Sequence, residues 1–451
     1  MQGFDEEHRR RNGLQRYYCR NDTYKKMNRR VVITGMGVAA PNGVGIPEFT
    51  TALQKGISGI QYDQHLADLQ FSCQISGTPN ISNAVKTACF TDLELRGFDS
   101  SGILYGVVAG MEAWKDAGLP VDLNADTDWD SGTIFGSGTS GIDKFRESIY
   151  KIDDLQTRRL GSNVVVQTMN SGISAYLGGK LGLGNQVTTN SSACVTGTES
   201  ILMAYERIKH GLAKRMLAGS TSDSGPYIWA GFDAMRVCTF KHNKDPQHGS
   251  RPMSASASGF VPGSGAGALV LEELESALER KATIYAEVLG GHINSGGQRN
   301  GGTMTAPNST AVQRCIKQAI DNAGITARDI DAINGHLTAT SKDALEIENW
   351  TQALNRKGTD FPFINSLKSM TGHCLSGAGS IETVATVLQL QQDFLFPNLN
   401  CEDLHPDITQ LISAAKIPQK ILYTPVTTIA KASFGFGDVN ACIILKKYQS
   451  L

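Results

Sequence analysis

A layered α/β fold is predicted by two features of this 451-residue chain. Short β-branched or apolar runs alternate with longer segments of helical periodicity, and Gly- or Ser-rich loops part them from one end to the other. There are 48 glycines, many beside Ser, Thr or Ala, which suits tight strand–helix turns and close packing rather than disorder. The length fits two or three domains or one large double unit.

Residues 31–34 read as a buried strand running into the turn Gly35-Met36-Gly37. GxGxxG is absent there, so a structural turn is preferred to a phosphate loop. A helical pattern covers 104–117, a strand entering a Gly/Ser loop covers 133–141, and 164–184 is apolar and rich in small residues. Beyond the region of Cys194 come a strand at 215–220, an irregular stretch at 225–251, and a glycine turn into a strongly apolar strand within 259–272. A strand at 284–288 opens the second half. It is followed by an amphipathic helix at 310–323, strands at 330–334 and 361–367, a helix at 379–392, and an antiparallel pair at 427–434 and 440–446. The strand–loop–helix order around Cys194 recurs around His336 and Lys368, which points to a duplicated unit.

The formal net charge of -1 indicates neither nucleic acid nor an anionic membrane as a partner. No apolar run is long enough to span a bilayer. Nine cysteines without a CxxC or a repeated spacing do not read as a disulfide framework or a zinc site, and none of the nine histidines sits in an HExxH or paired array. Residues 1–26 are polar and basic and lack the apolar core of a secretory signal. A loosely held extension is expected there, with Met27 as the functional start and a targeting or interaction arm as the alternative. A reducing cytoplasm follows.

The stretch 187–211 organises the rest. It passes from Val187-Thr188-Thr189 through Ser191-Ser192-Ala193 to Cys194, and then into a mostly apolar helical pattern ending at Gly211. A thiol at a helix N-terminus feels the positive end of the macrodipole. An ordinary thiol is roughly 3% ionised at pH 7, and a helix-end stabilisation of up to ~2 kcal/mol would raise that to roughly half. Apolar burial acts in the opposite sense. Cys194 therefore reads either as a nucleophile or as a buried structural cysteine.

Four loops decide between these: SSACVTG at Cys194, NGHLTAT at His336, NSLKSMTGH from Lys368 to His373, and SFGFG ending at Gly437. In this order, with the opening RVVITGMG and the later RPM and GSGAGALVLEE, they resemble the β-ketoacyl-acyl-carrier-protein synthases of the thiolase superfamily, elongating synthase I/II type, over about residues 28 to 447. The resemblance implies a duplicated thiolase-like fold layered α-β-α-β-α. It implies that Cys194 carries the acyl chain as a thioester and that His336 and His373 donate N–H groups to the enolate formed when a malonyl thioester loses CO₂. It also implies that Lys368 supports the second histidine, with Glu346 linked to that lysine. Thr338 and Thr340 contact the pantetheine arm. Phe436 is the acyl gate, and its N–H forms an oxyanion hole with that of Cys194. No metal or organic cofactor is implied, since substrates ride on the phosphopantetheine arm of acyl-carrier protein. A homodimer is implied, a heterodimer with another synthase subunit being the alternative. Arg236 and Lys241 are candidates for the basic patch that meets the acidic carrier protein.

The expected halves are 27–279, with Cys194, and 280–451, with His336, Lys368 and His373. Three departures bear on substrate: Leu337 replaces a glycine beside His336, Asp438 and Val439 replace small residues after Gly437, and Ser254, Ala257, Ser258 and Ser264 stand where charges are usual. They point to a specialised synthase for polyene, polyketide-like or unusual lipid chains, with general fatty-acid elongation as the competing reading. Two other functions compete. A non-catalytic, chain-length-determining partner typically lacks the nucleophile that is present here. A thiolase acting on coenzyme A esters needs a second catalytic cysteine, for which Cys442 lies within an apolar strand rather than a glycine loop.

Overall fold

The computed structural model describes residues 29–449; the extension 1–26 and Met27 lie outside them. Ten strands make up the body of one mixed sheet: β1 (Val31–Ala40), β2 (Ser131–Ser137), β3 (Val187–Thr188), β4 (Arg215–Ser222), β5 (Gly265–Glu273), β6 (Ala286–Ser295), β7 (Ala332–Asn334), β8 (Phe363–Asn365), β9 (Thr428–Gly435) and β10 (Val439–Lys447). Their spatial order is β8-β7-β9-β10-β6-β1-β5-β4-β2-β3. One five-strand pattern is used twice. In each half the third strand lies parallel to the second and the second parallel to the fourth. The fourth is antiparallel to the fifth and the fifth antiparallel to the first. The halves join where Val31, Val32 and Ile33 of β1 pair antiparallel with Val288, Glu287 and Ala286 of β6.

Alternation along the strands sorts side chains into three cores. Along β10, Ala441, Ile443 and Leu445 face inward, and Cys442 and Ile444 face outward. The inner core holds helices α3 (Thr196–Lys209) and α6 (Ala378–Gln392) between the halves. Helices α1 (Ser101–Asp116) and α2 (Gly172–Leu181) cover the outer face of the first half. Helices α4 (Ser309–Asn322) and α5 (Asp343–Leu354) cover that of the second. The result is the expected five-layer α-β-α-β-α duplicate. Helix α6 is buried on every side from Ala378 to Leu390, its polar residues Ser380, Glu382, Thr383, Thr386 and Gln389 included.

One expectation is corrected. Gly35 and Gly37 are not in a turn; β1 continues through them to Ala40. They are glycine because α1 crosses directly above: a Cβ at Gly37 would lie 2.0 Å from the Ala109 carbonyl oxygen, and one at Gly35 would lie 2.2 Å from that of Ala113. The predicted hairpin at the end of the chain is present as β9 and β10.

The duplication also sets the site. The chain leaves β3 and β8 through equivalent elbows, each with a non-glycine residue at positive φ, Ala193 (50°) and Leu375 (48°). A short 3₁₀ turn follows each, and then α3 or α6. Cys194 sits in the first elbow, and His373 just precedes the second.

Candidate active site

The elbow at Cys194 is held by Thr196, whose Oγ1 accepts the Ser192 N–H (2.9 Å) and donates to the Ala193 carbonyl (2.7 Å). Cys194 Sγ lies 3.1 Å from His373 Nε2. The backbone N–H groups of Phe436 and of Cys194 itself act on the sulfur in the sense that favours its thiolate. His373 Nδ1 accepts the Leu375 N–H (3.3 Å). That acceptor role leaves the ring proton on Nε2, directed at the sulfur. The His336 ring meets His373 edge-on, with centroids 5.4 Å apart and planes at 83°.

The donor atoms of Cys194, His336 and His373 lie within 4.8 Å of one another, a spacing that invites comparison with a metal centre. The set does not fit one. A metal on His373 Nε2 would require the proton on Nδ1, where the Leu375 N–H already points.

Burial sets the protonation states. Desolvation pushes the Cys194 thiol up to about 11, against the pull of Lys368 and the two N–H groups. Of the two opposing effects anticipated for this thiol, burial wins. Both imidazoles are held well below the usual histidine range, first by desolvation and then by the Lys368 cation, with His373 and Lys431 adding to the effect on His336 and Lys431 to that on His373. They are neutral at pH 7. Alkylation of Cys194 by iodoacetamide, followed by peptide mass, is therefore expected to quicken about tenfold per pH unit from pH 7 to 9, because only the thiolate reacts. Lys368→Met should slow it at every pH, since removing the cation raises the thiol further. A rate that levels off near pH 7 would contradict burial as the controlling effect.

Glu346 is corrected. It was expected beside Lys368, but its two carboxylate oxygens accept the N–H groups of His336 and Leu337, both at 2.7 Å. The partner of Lys368 is Glu382 on α6, which also lies 2.9 Å from Lys431 Nζ on β9. Glu346 and its neighbour Asp343 open α5 and curl back over the His336 loop. Asp343 accepts N–H groups from Thr338 (2.9 Å), Ala339 (3.1 Å) and Met253 (2.9 Å). Burial pushes Glu346 up to about 7 and Asp343 up to about 6.

Glu382 and Lys431 were missed from the sequence. A signal existed for the first: Glu382 is the only charged residue of α6, and a lone carboxylate in a buried helix needs a counter-charge. Lys431 had the same signal inside an apolar strand, AKASF.

Cys194, His336 and His373 open into a cavity of about 390 Å³ lined by Phe232, Phe260, Thr338, Thr340, Phe434 and Phe436 among others. The Thr338 and Thr340 hydroxyls are 3.1 Å apart. Met235 and Val237 also line it, and exposed Arg236 lies between them in the chain.

The departures acquire physical reasons. Leu337, at φ 21°, packs into the outer core of the second half and not into the cavity, so it does not narrow the tunnel. Asp438, at φ 60° and 1% exposed, accepts the N–H groups of Asn308 (2.8 Å) and Gln298 (3.0 Å), while its carbonyl accepts that of Gly296 (2.9 Å). It ties the Phe436 loop to the 296–308 loop. Arg251 pairs with Glu402 (2.6 Å) and Asp403 (3.0 Å), and the Ser254 hydroxyl donates to Asp403. A rebuilt ion-pair network thus stands where the usual charges are missing.

Among curated proteins, 3-oxoacyl-[acyl-carrier-protein] synthase 2 of Vibrio harveyi is 32% identical over 421 residues, 93% of this chain and 99% of that protein. A solved beta-ketoacyl synthase from Burkholderia phymatum STM815 superposes with a TM-score of 0.84 at 28% identity, over 93% of this chain and all of the other. A type II polyketide ketosynthase solved with its acyl-carrier protein superposes at 0.81 and 26% identity, over 94% of this chain and all of the other. The family models described as beta-ketoacyl synthase N-terminal domain and C-terminal domain match residues 28–277 and 285–402. On its fold, the order of its four loops and these matches, the chain belongs to the beta-ketoacyl synthase family.

Proposed function

We propose that this protein is a 3-oxoacyl-[acyl-carrier-protein] synthase, an acyltransferase that joins an acyl group to malonyl-acyl-carrier protein by decarboxylative Claisen condensation. The observation that carries the reading is the meeting of Cys194 Sγ with His373 Nε2 at 3.1 Å beneath the two backbone N–H groups.

In the first half-reaction Cys194 takes the acyl group. The acyl–sulfur bond of the carrier breaks, an acyl–Sγ bond forms, and the carrier thiol leaves with the proton. The N–H groups of Cys194 and Phe436 face the tetrahedral oxyanion. In the second half-reaction malonyl thioester loses CO₂, and its bonding pair becomes an enolate. His373 Nε2–H and His336 stabilise the enolate oxygen, each such donor being worth about 3–4 kcal/mol. The enolate carbon then attacks the acyl group, a carbon–carbon bond forms, and Sγ is released. Lys368, bound to Glu382, helps keep the imidazoles neutral so that they donate. Glu346 fixes the His336 loop. Thr338 and Thr340 serve the pantetheine arm and Phe436 closes the acyl pocket, positions supported by the cavity they share. The phosphopantetheine arm arrives with the carrier protein, and the chemistry draws on no metal or organic cofactor. Exposed Arg236, between two residues that line the cavity, suits an acidic carrier, with exposed Lys241 as the second candidate.

Retention of Cys194 disfavours a non-catalytic chain-length partner, and Cys442, packed outward with the outer core, disfavours a thiolase. The departures favour a specialised chain over general fatty-acid elongation, because Asp438 pins the loop that bounds the acyl pocket. The chain divides between 279 and 280, where helix Leu274–Glu279 leads toward β6. Strand β3 is an edge of the sheet with Val187 exposed, and the 142–168 segment adds exposed Phe145, Ile149, Tyr150, Leu155 and Val165, which suits a homodimer. Light scattering on the purified chain should give twice its 48.4 kDa mass; a monomer would remove that reading. No helix among the described residues is long and apolar enough to cross a membrane, in keeping with a cytoplasmic site of action.

Intact-mass analysis tests the function. Wild type incubated with acyl-carrier protein should gain a thioester adduct that clears on adding malonyl-carrier protein, giving a product two carbons longer, and Cys194→Ala should gain none. No adduct across short, long and polyene chains would sink the stand-alone enzyme.

A further inference from the structure

We infer that Lys431 is a positioning residue of this site, a second buried cation that joins Lys368 on Glu382 and keeps the two imidazoles in their neutral, N–H-donating form. The inference rests on the proposed condensation for its consequence, though not for its test.

Lys431 is fully buried. Its Nζ lies 2.9 Å from one Glu382 oxygen, while Lys368 binds the other. It donates to the Thr198 hydroxyl (3.0 Å), the Ala432 carbonyl (3.0 Å) and the Ser433 hydroxyl. Thr198 is on the helix after Cys194, Glu382 on the helix after His373, and Ser433 on the strand leading to Phe436. One side chain thus links the segments that carry the nucleophile, the second histidine and the oxyanion N–H.

Charge supplies the second half of the argument. A single lysine would neutralise Glu382. Two lysines leave the buried cluster with a surplus positive charge if both are ionised. The ammonium of Lys431 is itself pushed down by burial and by Lys368, and held up by Glu382. His373 faces Cys194 Sγ, the Leu375 N–H, the Phe260 ring, His336, Lys368 and Lys431. His336 faces His373, the Phe434 ring, Lys368 and Lys431, with Glu346 on its backbone N–H. Glu346 has its oxygens taken up by the backbone N–H groups of His336 and Leu337, and Glu382 faces a lysine at each oxygen, Lys431 at the one that Lys368 leaves free. A neutral ring keeps Nε2–H as donor and Nδ1 as acceptor; an imidazolium would lose the contact with the Leu375 N–H.

The test is a histidine-selective ¹⁵N NMR titration of the full-length chain from pH 5 to 8, with His336→Gln and His373→Gln for assignment. In the wild type both rings should stay neutral throughout. Lys431→Met and Lys431→Gln should both shift the His373 titration upward, so that the ring begins to protonate within that window, and Lys431→Arg should restore the wild-type titration. Lys431→Gln can still bond Thr198 and Ser433, so it separates charge from hydrogen bonding. The inference is overturned if both neutral variants keep His373 neutral, or if Lys431→Gln titrates as wild type and only Lys431→Met differs. The readout needs no substrate, so failure of the condensation assay and failure of this titration are distinguishable.

Discussion

His373→Ala is expected to leave Cys194 able to take up an acyl group while slowing carbon–carbon bond formation by about 10²–10³-fold. The asymmetry follows from the geometry. Acyl transfer to Cys194 draws on the N–H groups of Cys194 and Phe436, which belong to the backbone and survive the substitution. The enolate depends on side-chain donors, and His373 is the one whose tautomer is fixed, by the Leu375 N–H on Nδ1. Preloading the acyl-enzyme, adding malonyl-carrier protein, and following product in a single turnover separates the two steps. A variant that fails to acylate, yet condenses normally once loaded by chemical means, would assign His373 to the thiol instead of the enolate.

The largest loss of stability is expected from Glu382→Ala. Glu382 is 2% exposed and binds two lysines that are 1% and 0% exposed. Breaking a buried pair by removing one partner typically costs about 3–5 kcal/mol, because the surviving charge stays desolvated. Here two cations are left, so urea unfolding should give a loss at or above that range. Lys431→Met leaves the Lys368–Glu382 pair intact and should cost less. A change within ~1 kcal/mol for Glu382→Ala would contradict a buried ion pair as the feature that holds these layers together.

Much of the site was legible from local chemistry. Small residues before Cys194, a histidine in a Gly/Thr loop, a lysine five residues before a second histidine, and the SFGFG hairpin are all contiguous signals, and their order carried the family resemblance and its fold. The end of the chain folded as the antiparallel pair that its alternation predicted. Where Gly35 and Gly37 were misread, the cause was non-local: glycine serves equally for a turn and for a strand crossed by a helix, and only the position of α1 distinguishes them.

The alternation of strands, glycine loops and helices in the sequence by itself determined the layered class and hinted at the duplication, and the resemblance carried by its four ordered loops singled out Cys194, His336, Lys368 and His373. The tertiary structure decided how those groups are charged and held. The family resemblance linked Glu346 to Lys368, but an electrostatic partner is chosen by burial and distance in space, and Glu382 on the buried helix is the carboxylate that reaches it. The thiol at Cys194 could be argued in either direction from a helix end and an apolar setting; the packing of the inner layer made desolvation the larger effect. Lys431 belongs to the site for the same reason: a buried ammonium must find a carboxylate, and only the assembled layers determine which one it meets.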